Sequence, residues 1–465
     1  MKLVSKWFVG AFLIGSTFPV SAELSDSDAL LRRLTELEDE QKKSQQMIKE
    51  LRSEIKTLNS DVTKVKEERL DAPLYVGSKS KKRPAPKSTF KPLNRSAFPQ
   101  LEKESRFIIQ SHDTEFNLGI DGTLIGRYEM NHRKDDGLGS GDTDQGFEMT
   151  GTRINFQGKL YSDYGYWVRV NADEHGDPSI DAAIGYYNFN EDTILVLGQF
   201  PSVLNREQFL PVDKVQTQES SPTNYTFDPF GYKGVMLAYH TPRVVYRGII
   251  NDGYRSINNG PFEEASAQWA IAGQVSGMLI GGKSDWSRFD NFTSRPGDNF
   301  IWMVSGALHT QKGASHGADN AGNPVDSSDD MSLGMIESSM EGDGWNFYVS
   351  GYSRRTDLGL TTVNDYGLVF QGGLWVAKHF ELYSRYDVTI PDSDRLVEDD
   401  KFRTFTTGIN FYPLPHTDNI KIGAELLYMF DAEADSIVQP NEFSSVRASS
   451  SGDQFVFRTQ ALMQW

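Results

Sequence analysis

The chain has 465 residues, of which 47 are Lys or Arg, 64 are Asp or Glu and none is Cys, with a formal net charge of -17. This acidic balance excludes a nucleic-acid binder that works through a generally basic surface. The absence of Cys excludes disulfide frameworks, thiol catalysis and Cys-based metal sites. A mean hydropathy of -0.49 argues against a bundle of apolar spanning helices. It does not argue against membrane strands, because their residues alternate between apolar and polar.

The N-terminus carries the pattern of a secretory signal peptide. Lys2 and Lys6 precede the apolar run Trp7–Phe18, and small residues follow as far as Ala22. We therefore predict a signal peptide over residues 1–22 and export from the cytoplasm. The alternative, an anchoring helix, fits less well because the run is short for a membrane span.

A heptad seam follows, which predicts a coiled coil over residues 23–70. Its positions are spaced alternately by four and three residues, and most residues between them are polar. They are Leu30, Leu34, Leu37, Gln41, Ser44, Ile48, Leu51, Ile55, Leu58, Val62 and Val65. A single amphipathic helix is the alternative, but the period of 3.5 residues favours the coiled coil. Gln41 and Ser44 weaken the seam, and the pattern leaves the choice between two and three strands open.

Residues 71–114 are predicted to form an extended basic linker. Lys, Arg, Pro and Ser dominate the stretch from Gly77 to Arg106. Such a composition is typical of a solvated spacer. The alternative is contact of the linker with anionic lipid head groups or with the cell wall.

From residue 115 to residue 465 the sequence predicts membrane strands. In Phe116–Asn131 the even positions are mostly apolar and the odd positions mostly polar, and Phe455–Trp465 alternates in the same way. A run of some sixteen residues exceeds the strands of a soluble sheet, whereas a tilted membrane strand needs about ten and often extends further. An aromatic final residue such as Trp465 is typical of outer-membrane barrels. A soluble β-sandwich is the alternative, but it would expose a very large apolar surface.

Candidate strands between these two bring the total to about sixteen, which predicts an antiparallel transmembrane β-barrel. They lie near 147–161, 164–171, 180–189, 193–200, 233–240, 244–251, 267–276, 300–309, 331–339, 345–353, 365–377, 380–388, 403–412 and 419–430. Short turns alternate with long loops, as expected when both termini of the barrel face the periplasm. The segment Gly277–Asn299 is the exception, because it should be a short turn and is long.

Seven basic residues fall on the polar, water-facing side if the alternation is followed, and we predict that they line the pore. They are Arg127, Arg153, Lys159, Arg169, Arg247, Arg385 and Arg458. Guanidinium groups in a low-dielectric pore attract anions. Five acidic residues point the same way, so pairing of opposite charges is an equally good interpretation: Asp121, Glu129, Glu381, Asp387 and Glu425.

Four segments in this region resemble the phosphate-selective porin O/P family. They are Asp181–Tyr186, Leu197–Phe200, Glu381–Asp387 and Thr407–Tyr412. The resemblance implies a homotrimeric channel of sixteen strands whose third external loop, here Pro201–Tyr232, folds into the barrel as a constriction. The charged residues of that loop are Arg206, Glu207, Asp213, Lys214, Glu219 and Asp228. The lysine that follows Gly-x-Phe in the family is absent here, where Gly198-Gln199-Phe200 is followed by Pro201.

No catalytic motif stands out, so we predict neither an enzyme nor a cofactor or metal site. The eight His are scattered, and the acidic loops lack the spacing of a calcium site. The sequence predicts an outer-membrane porin of a Gram-negative bacterium, with its coiled coil in the periplasm. Its expected partners are membrane lipid, lipopolysaccharide and small hydrophilic solutes, anions among them. The alternative is a structural tether that holds the outer membrane to the cell wall through the coiled coil and the basic linker.

Overall fold

The computed structural model describes Lys49 and residues 107–111, 115–134, 143–172, 178–211, 213–258, 267–313, 330–357, 361–395, 401–431, 437–438, 446–447 and 452–465. The chain divides into two compact units, Met1–Ser88 and Thr89–Trp465. Only Lys49, a helical residue, is described in the first unit. The predicted signal peptide, the rest of the predicted coiled coil and the linker before Phe107 lie outside the described residues. The tether hypothesis depends on those same regions.

The second unit consists mainly of β-strands that pair antiparallel with their neighbours. They are β1 (Phe107–Gln110), β2 (Asn117–His132), β3 (Thr143–Met149), β4 (Thr152–Leu160), β5 (Tyr164–Ala172), β6 (Pro178–Asn190), β7 (Thr193–Pro201), β8 (Gly231–His240), β9 (Val244–Asn251), β10 (Trp269–Ile280), β11 (Ile301–Lys312), β12 (Met331–Gly342), β13 (Trp345–Asp357), β14 (Thr362–Ala377), β15 (Phe380–Ile390), β16 (Phe402–Phe411), β17 (Ile420–Met429) and β18 (Gln454–Gln464). Among the described residues of this unit, three short helices accompany them: α1 (Arg206–Phe209), α2 (Pro222–Phe227) and a 3-10 helix (Lys283–Asp290). In the described part of the chain, no helix combines the length and the apolar character that a membrane span requires.

The wall of the barrel has sixteen strands, because β3 and β4 are two halves of one wall strand and β1 lies in line with β18 along β2. Both pair with β2: Met149 of β3 lies opposite Gly126, and Arg153 of β4 lies opposite Thr123. Three residues separate Met149 from Arg153 where β2 has two, so the break is a one-residue bulge. The predicted sixteen-stranded barrel is confirmed, and the strand predicted near 147–161 is the one that contains this bulge.

The barrel closes where β18 pairs with β2, and β1 pairs with the adjoining stretch of β2. β18 pairs with Thr123–His132, and Trp465 exchanges backbone hydrogen bonds with Gly122. β1 pairs with Asn117–Ile120, the next stretch of β2. The chain thus enters the barrel in line with the strand on which it ends. This four-residue strand was not predicted from the sequence.

The two ends of the barrel differ in the length of their connections. At one end, which we call the turn end, most hairpins close through two or three residues, as at 161–163, 191–192 and 343–344. The opposite end, called the loop end, carries longer connections, including 202–230 between β7 and β8. Turn-end connections of this length bring consecutive strands together as antiparallel neighbours.

The outer face of the barrel is apolar and highly exposed. Leu308 and Ile336, which point outward from β11 and β12, each keep 70% of their surface accessible. Aromatic pairs mark the turn end of this face, for example Tyr164 with Tyr187 and Phe380 with Phe411, whose ring centroids lie 4.9 and 5.1 Å apart. An apolar band bordered by aromatic rings is the outer surface of a membrane β-barrel.

Gly198 is a point at which the wall tolerates no side chain. It lies in β7 opposite Ile184 with φ of 128°, and a Cβ would lie 2.1 Å from the carbonyl oxygen of Ala183. Backbone in this region costs a non-glycine residue about 1–3 kcal/mol. We therefore expect Gly198→Ala to lower the thermal unfolding temperature of the folded barrel. Gly185→Ala is the matched control, since a Cβ at Gly185 meets nothing within 4 Å; equal effects of the two changes would contradict this interpretation.

Candidate functional site

The connection 202–230, called the internal loop, folds into the barrel and is almost entirely buried. Each of its two helices begins with a side-chain N-cap. The side chain of Asn205 accepts a hydrogen bond from the backbone N–H of Gln208 at 2.8 Å, and that of Ser221 accepts one from Asn224 at 3.1 Å. Asn and Ser are preferred N-caps, and Pro222 occupies the first turn of α2, where its missing N–H costs nothing.

The first half of the internal loop descends from the loop end to the turn end. Gln274 in the middle of β10 donates to the carbonyl oxygen of Leu204 at 3.1 Å. Further on, Lys421 near the turn end of β17 donates to the carbonyl oxygen of Val215 at 2.7 Å. The loop therefore crosses the whole depth of the barrel.

The second half climbs back along the inner face of β15. Gln216 donates to Glu381 at 2.7 Å, Arg385 donates to Thr217 Oγ1 at 3.0 Å, and the hydroxyls of Thr223 and Thr389 lie 2.9 Å apart. These contacts follow the order of the strand from its turn end to its loop end. The internal loop is therefore a hairpin laid against the wall rather than a ring at one level.

An apolar cluster fills the barrel interior beside the descending half. Val203, Leu204 and Phe209 of the internal loop belong to one buried cluster with inward-facing residues of neighbouring strands, among them Met236 of β8 and Met335 of β12. Burying each large side chain contributes about 1.5–3 kcal/mol. On this side the interior is packed like a protein core.

Two of the predicted pore-lining arginines are almost completely buried. The side chains of Arg385 and Arg458 are each 1% exposed. Arg385 lies 3.2 Å from Asp387 and 3.7 Å from Glu207, while Arg458 contacts Glu425 at 2.6 Å. Both face the interior of the barrel, where they pair with carboxylates.

Arg127 and Arg247 also face the interior and contact the internal loop. Arg127 donates to the carbonyl oxygen of Gln218 at 3.1 Å and pairs with Glu219. Arg247 donates to Gln274 and places its guanidinium carbon 5.1 Å from the ring centroid of Phe209. Guanidinium groups suit such shared positions, since they can donate in several directions and stack on rings.

The remaining predicted pore-lining residues lie on β4 and β5. Arg153 Nε is 3.5 Å from Asp181, and their side chains keep 16% and 25% exposure. Arg169 stacks on Trp167 at 4.5 Å and donates to Asn155 at 3.2 Å. Lys159 is half-buried. Arg153 and Asp181 therefore keep much more contact with solvent than Arg385 and Arg458.

The predicted residues of the constriction loop occupy three depths. Arg206 pairs with Glu341, Asp213 accepts from Gln464, and Lys214 lies 3.3 Å from Asp418, all near the turn end. Glu207 accepts from the backbone N–H of Ser221 at 2.7 Å. Asp228, at the end of α2, is buried at the point where the loop returns to β8.

The sequence analysis did not predict that a second segment of the chain lies inside the barrel. Residues 281–300, called the turn-end segment, bury Trp286, Phe289 and Phe292 inside the barrel. The length of this segment and its two large aromatics at 286 and 292 were the available signals. Within the described residues, no group of three or more His, Asp or Glu is placed to hold a metal ion.

Comparison with solved structures identifies the class of fold. The chain is similar to the anion-selective porin from Comamonas acidovorans, with a TM-score of 0.54, 12% identity and coverage of 76% of this chain and 100% of that one. It is also similar to OmpT of Vibrio cholerae, with a TM-score of 0.51, 12% identity and coverage of 77% of this chain and 100% of that one. For OmpF of Salmonella typhi, solved in complex with daunomycin, the TM-score is 0.50, the identity is 10%, and the coverage is 77% of this chain and 100% of that one.

The protein therefore has the closed sixteen-stranded antiparallel barrel fold of porins. No family model and no curated protein matches the sequence. The resemblance to the phosphate-selective porin O/P family stays a prediction.

Proposed function

We propose that the protein is a passive diffusion channel for small hydrophilic solutes in the outer membrane of a Gram-negative bacterium. The proposal rests chiefly on one observation: a closed, externally apolar barrel keeps partly exposed charged residues on its inner face. A barrel of this kind crosses a bilayer without leaving backbone groups unsatisfied. The porin fold of the similar structures supports the same function.

We place the solute path beside β4, on which Arg153 and Lys159 keep partial exposure. The apolar cluster that contains the internal loop includes inward-facing residues of every strand from β5 to β14, and the loop is hydrogen-bonded to β15 and β17. Those contacts occupy most of the interior. The partly exposed pair Arg153 and Asp181 lies on the remaining side.

Along this path we propose a preference for anions. Arg153 and Lys159 of β4 contribute two partly exposed positive charges, whereas Asp181 contributes one partly exposed negative charge, and Arg169 is buried. Asp121 is buried and accepts from Asn155 at 2.7 Å and from Gln157 at 3.1 Å. Guanidinium groups remain charged at any physiological pH, so the excess positive charge persists.

The test is the current through the purified protein in a planar bilayer, with the reversal potential measured under a potassium chloride gradient. We expect discrete current steps and a reversal potential of the sign that chloride permeation gives. We also propose a homotrimer, as the family resemblance implies, and three linked current levels would support it. A membrane-inserted protein without any conductance would contradict the channel, and a reversal potential of the opposite sign would contradict the anion preference.

A further inference from the structure

The turn-end segment enters the barrel from the end opposite to the internal loop. Its 3-10 helix buries Trp286 and Phe289, which cluster with Val245, Met278 and Met303 of the wall. Neighbouring connections at this end have two or three residues, whereas this one runs from 281 to 300. It is far longer than the hairpin connection between β10 and β11 requires.

The turn-end segment and the internal loop meet inside the barrel. The backbone N–H of Phe292 donates to the carbonyl oxygen of Lys214 at 3.0 Å. Arg206 Nε donates to the carbonyl oxygen of Phe289 at 2.9 Å, and its guanidinium carbon lies 4.3 Å from the ring centroid of Phe292. The same arginine pairs with Glu341 of β12. Arg206 therefore joins the internal loop, the turn-end segment and the wall.

Shared carboxylates form two further joints. Asp418, in the connection between β16 and β17, pairs with Lys214 of the internal loop and with Arg295 of the turn-end segment. Glu381 of β15 accepts from Gln216 of the internal loop at 2.7 Å and from Thr293 of the turn-end segment at 3.0 Å. Each carboxylate thus holds both elements at once, and loss of either element would leave its charge less compensated.

We propose that the turn-end segment is a second constriction element, which Arg206 joins to the internal loop to form one plug. The proposal rests on the channel function proposed above. It adds the element that narrows the solute path at the turn end. Arg206, a residue of the internal loop, is a positioning residue in this plug, since its side chain is only 3% exposed and contacts both the turn-end segment and the wall. The plug confines solutes at this end to the side of the barrel beside β4.

The first test shortens the turn-end segment. Replacing 282–300 with Asn-Gly, a dipeptide suited to a two-residue hairpin turn, connects β10 to β11 directly. We expect a several-fold larger single-channel current, with the sign of the reversal potential unchanged because Arg153 and Arg169 are untouched. Arg206→Met should give a smaller increase of the same kind. Arg243→Met is the matched control, since Arg243 is an exposed arginine in a turn at the same end.

The second test measures the contact itself and needs no conductance. The chain has no Cys, so Lys214→Cys combined with Phe292→Cys introduces a single pair. A backbone hydrogen bond joins these residues, which brings their Cα atoms into the range that a disulfide spans. We expect the pair to form a disulfide in the membrane-inserted protein under mild oxidation. Failure of the pair to be joined either by a disulfide or by a short dithiol-reactive crosslinker overturns the contact.

The outcomes of the two tests separate the plug from the channel. A disulfide together with a larger current in the shortened variant supports the plug. A disulfide with an unchanged current overturns the constriction role of the turn-end segment. A silent parent protein whose shortened variant conducts overturns the open channel but supports the plug, whereas silence of both overturns both.

Discussion

Arg385→Met is expected to release the ascending half of the internal loop and to cost the barrel about 3–5 kcal/mol, the usual loss when one partner of a buried ion pair is removed. Arg385 donates to Thr217 Oγ1 at 3.0 Å and to the carbonyl oxygens of Glu219 and Ser220 at 2.9 and 3.3 Å. It also lies 3.2 Å from the buried Asp387. Met fills a similar volume but leaves that carboxylate uncompensated.

The release should be visible in two measurements. The purified variant should unfold at a lower temperature, and its single-channel current should be larger and less steady, because the ascending half no longer follows β15. Arg385→Lys should give an intermediate result, since an ammonium group keeps the charge but not the planar fork that reaches several acceptors.

Arg403→Met is the matched control for Arg385→Met. Arg403 lies near the loop end of β16 with 38% of its side chain exposed, and it pairs with Asp431. An exposed pair of this kind contributes about 0–1 kcal/mol. If Arg385→Met and Arg403→Met leave unfolding and current equally unchanged, Arg385 does not anchor the internal loop.

The strands were predictable because each obeys one simple rule. The alternation in Phe116–Asn131 matched β2, which spans Asn117–His132, and the alternation in Phe455–Trp465 matched β18, which spans Gln454–Gln464. A strand with one face toward lipid and one toward a polar interior changes polarity from one residue to the next. The sequence therefore predicts most strands of the wall to within about four residues of their observed ends.

The contents of the barrel were not predictable in the same way. Alternation shows that Arg385 and Arg153 both face inward, but it does not show what each one meets there. Arg385 meets a folded-in loop and is buried, whereas Arg153 keeps 16% of its side chain exposed. That difference arises from contacts between residues far apart in sequence, such as Arg385 with Thr217.

The turn-end segment shows the same limit more strongly. Residues 281–300 have no period of two, so the alternation rule does not apply to them. Their placement depends on tertiary contacts such as that of Phe289 with Arg206. β1 was not predicted because its four residues are too few to show an alternating pattern.

Reversing the charge at Arg153 is expected to have the largest effect on selectivity. Arg153→Glu removes a positive charge from the proposed path and adds a negative one beside Asp181, whose carboxylate now lies 3.5 Å from Arg153 Nε. A unit charge about 4 Å from a permeating ion contributes about 1 kcal/mol even in bulk water. Because the charge attracts anions and repels cations by the same amount, each unit of charge should change the ratio of anion to cation permeability about thirtyfold. The reversal should therefore turn an anion preference into a cation preference.

The neutral variants show whether this effect comes from charge alone. Arg153→Gln should weaken the anion preference, and Asp181→Asn should strengthen it, because each removes one member of the same ion pair. Arg243→Gln, at an exposed turn, should leave the reversal potential unchanged. Because Arg153 and Asp181 carry opposite charges on one path, a shift of the reversal potential in the same direction for both variants would mean that permeating ions do not pass this pair.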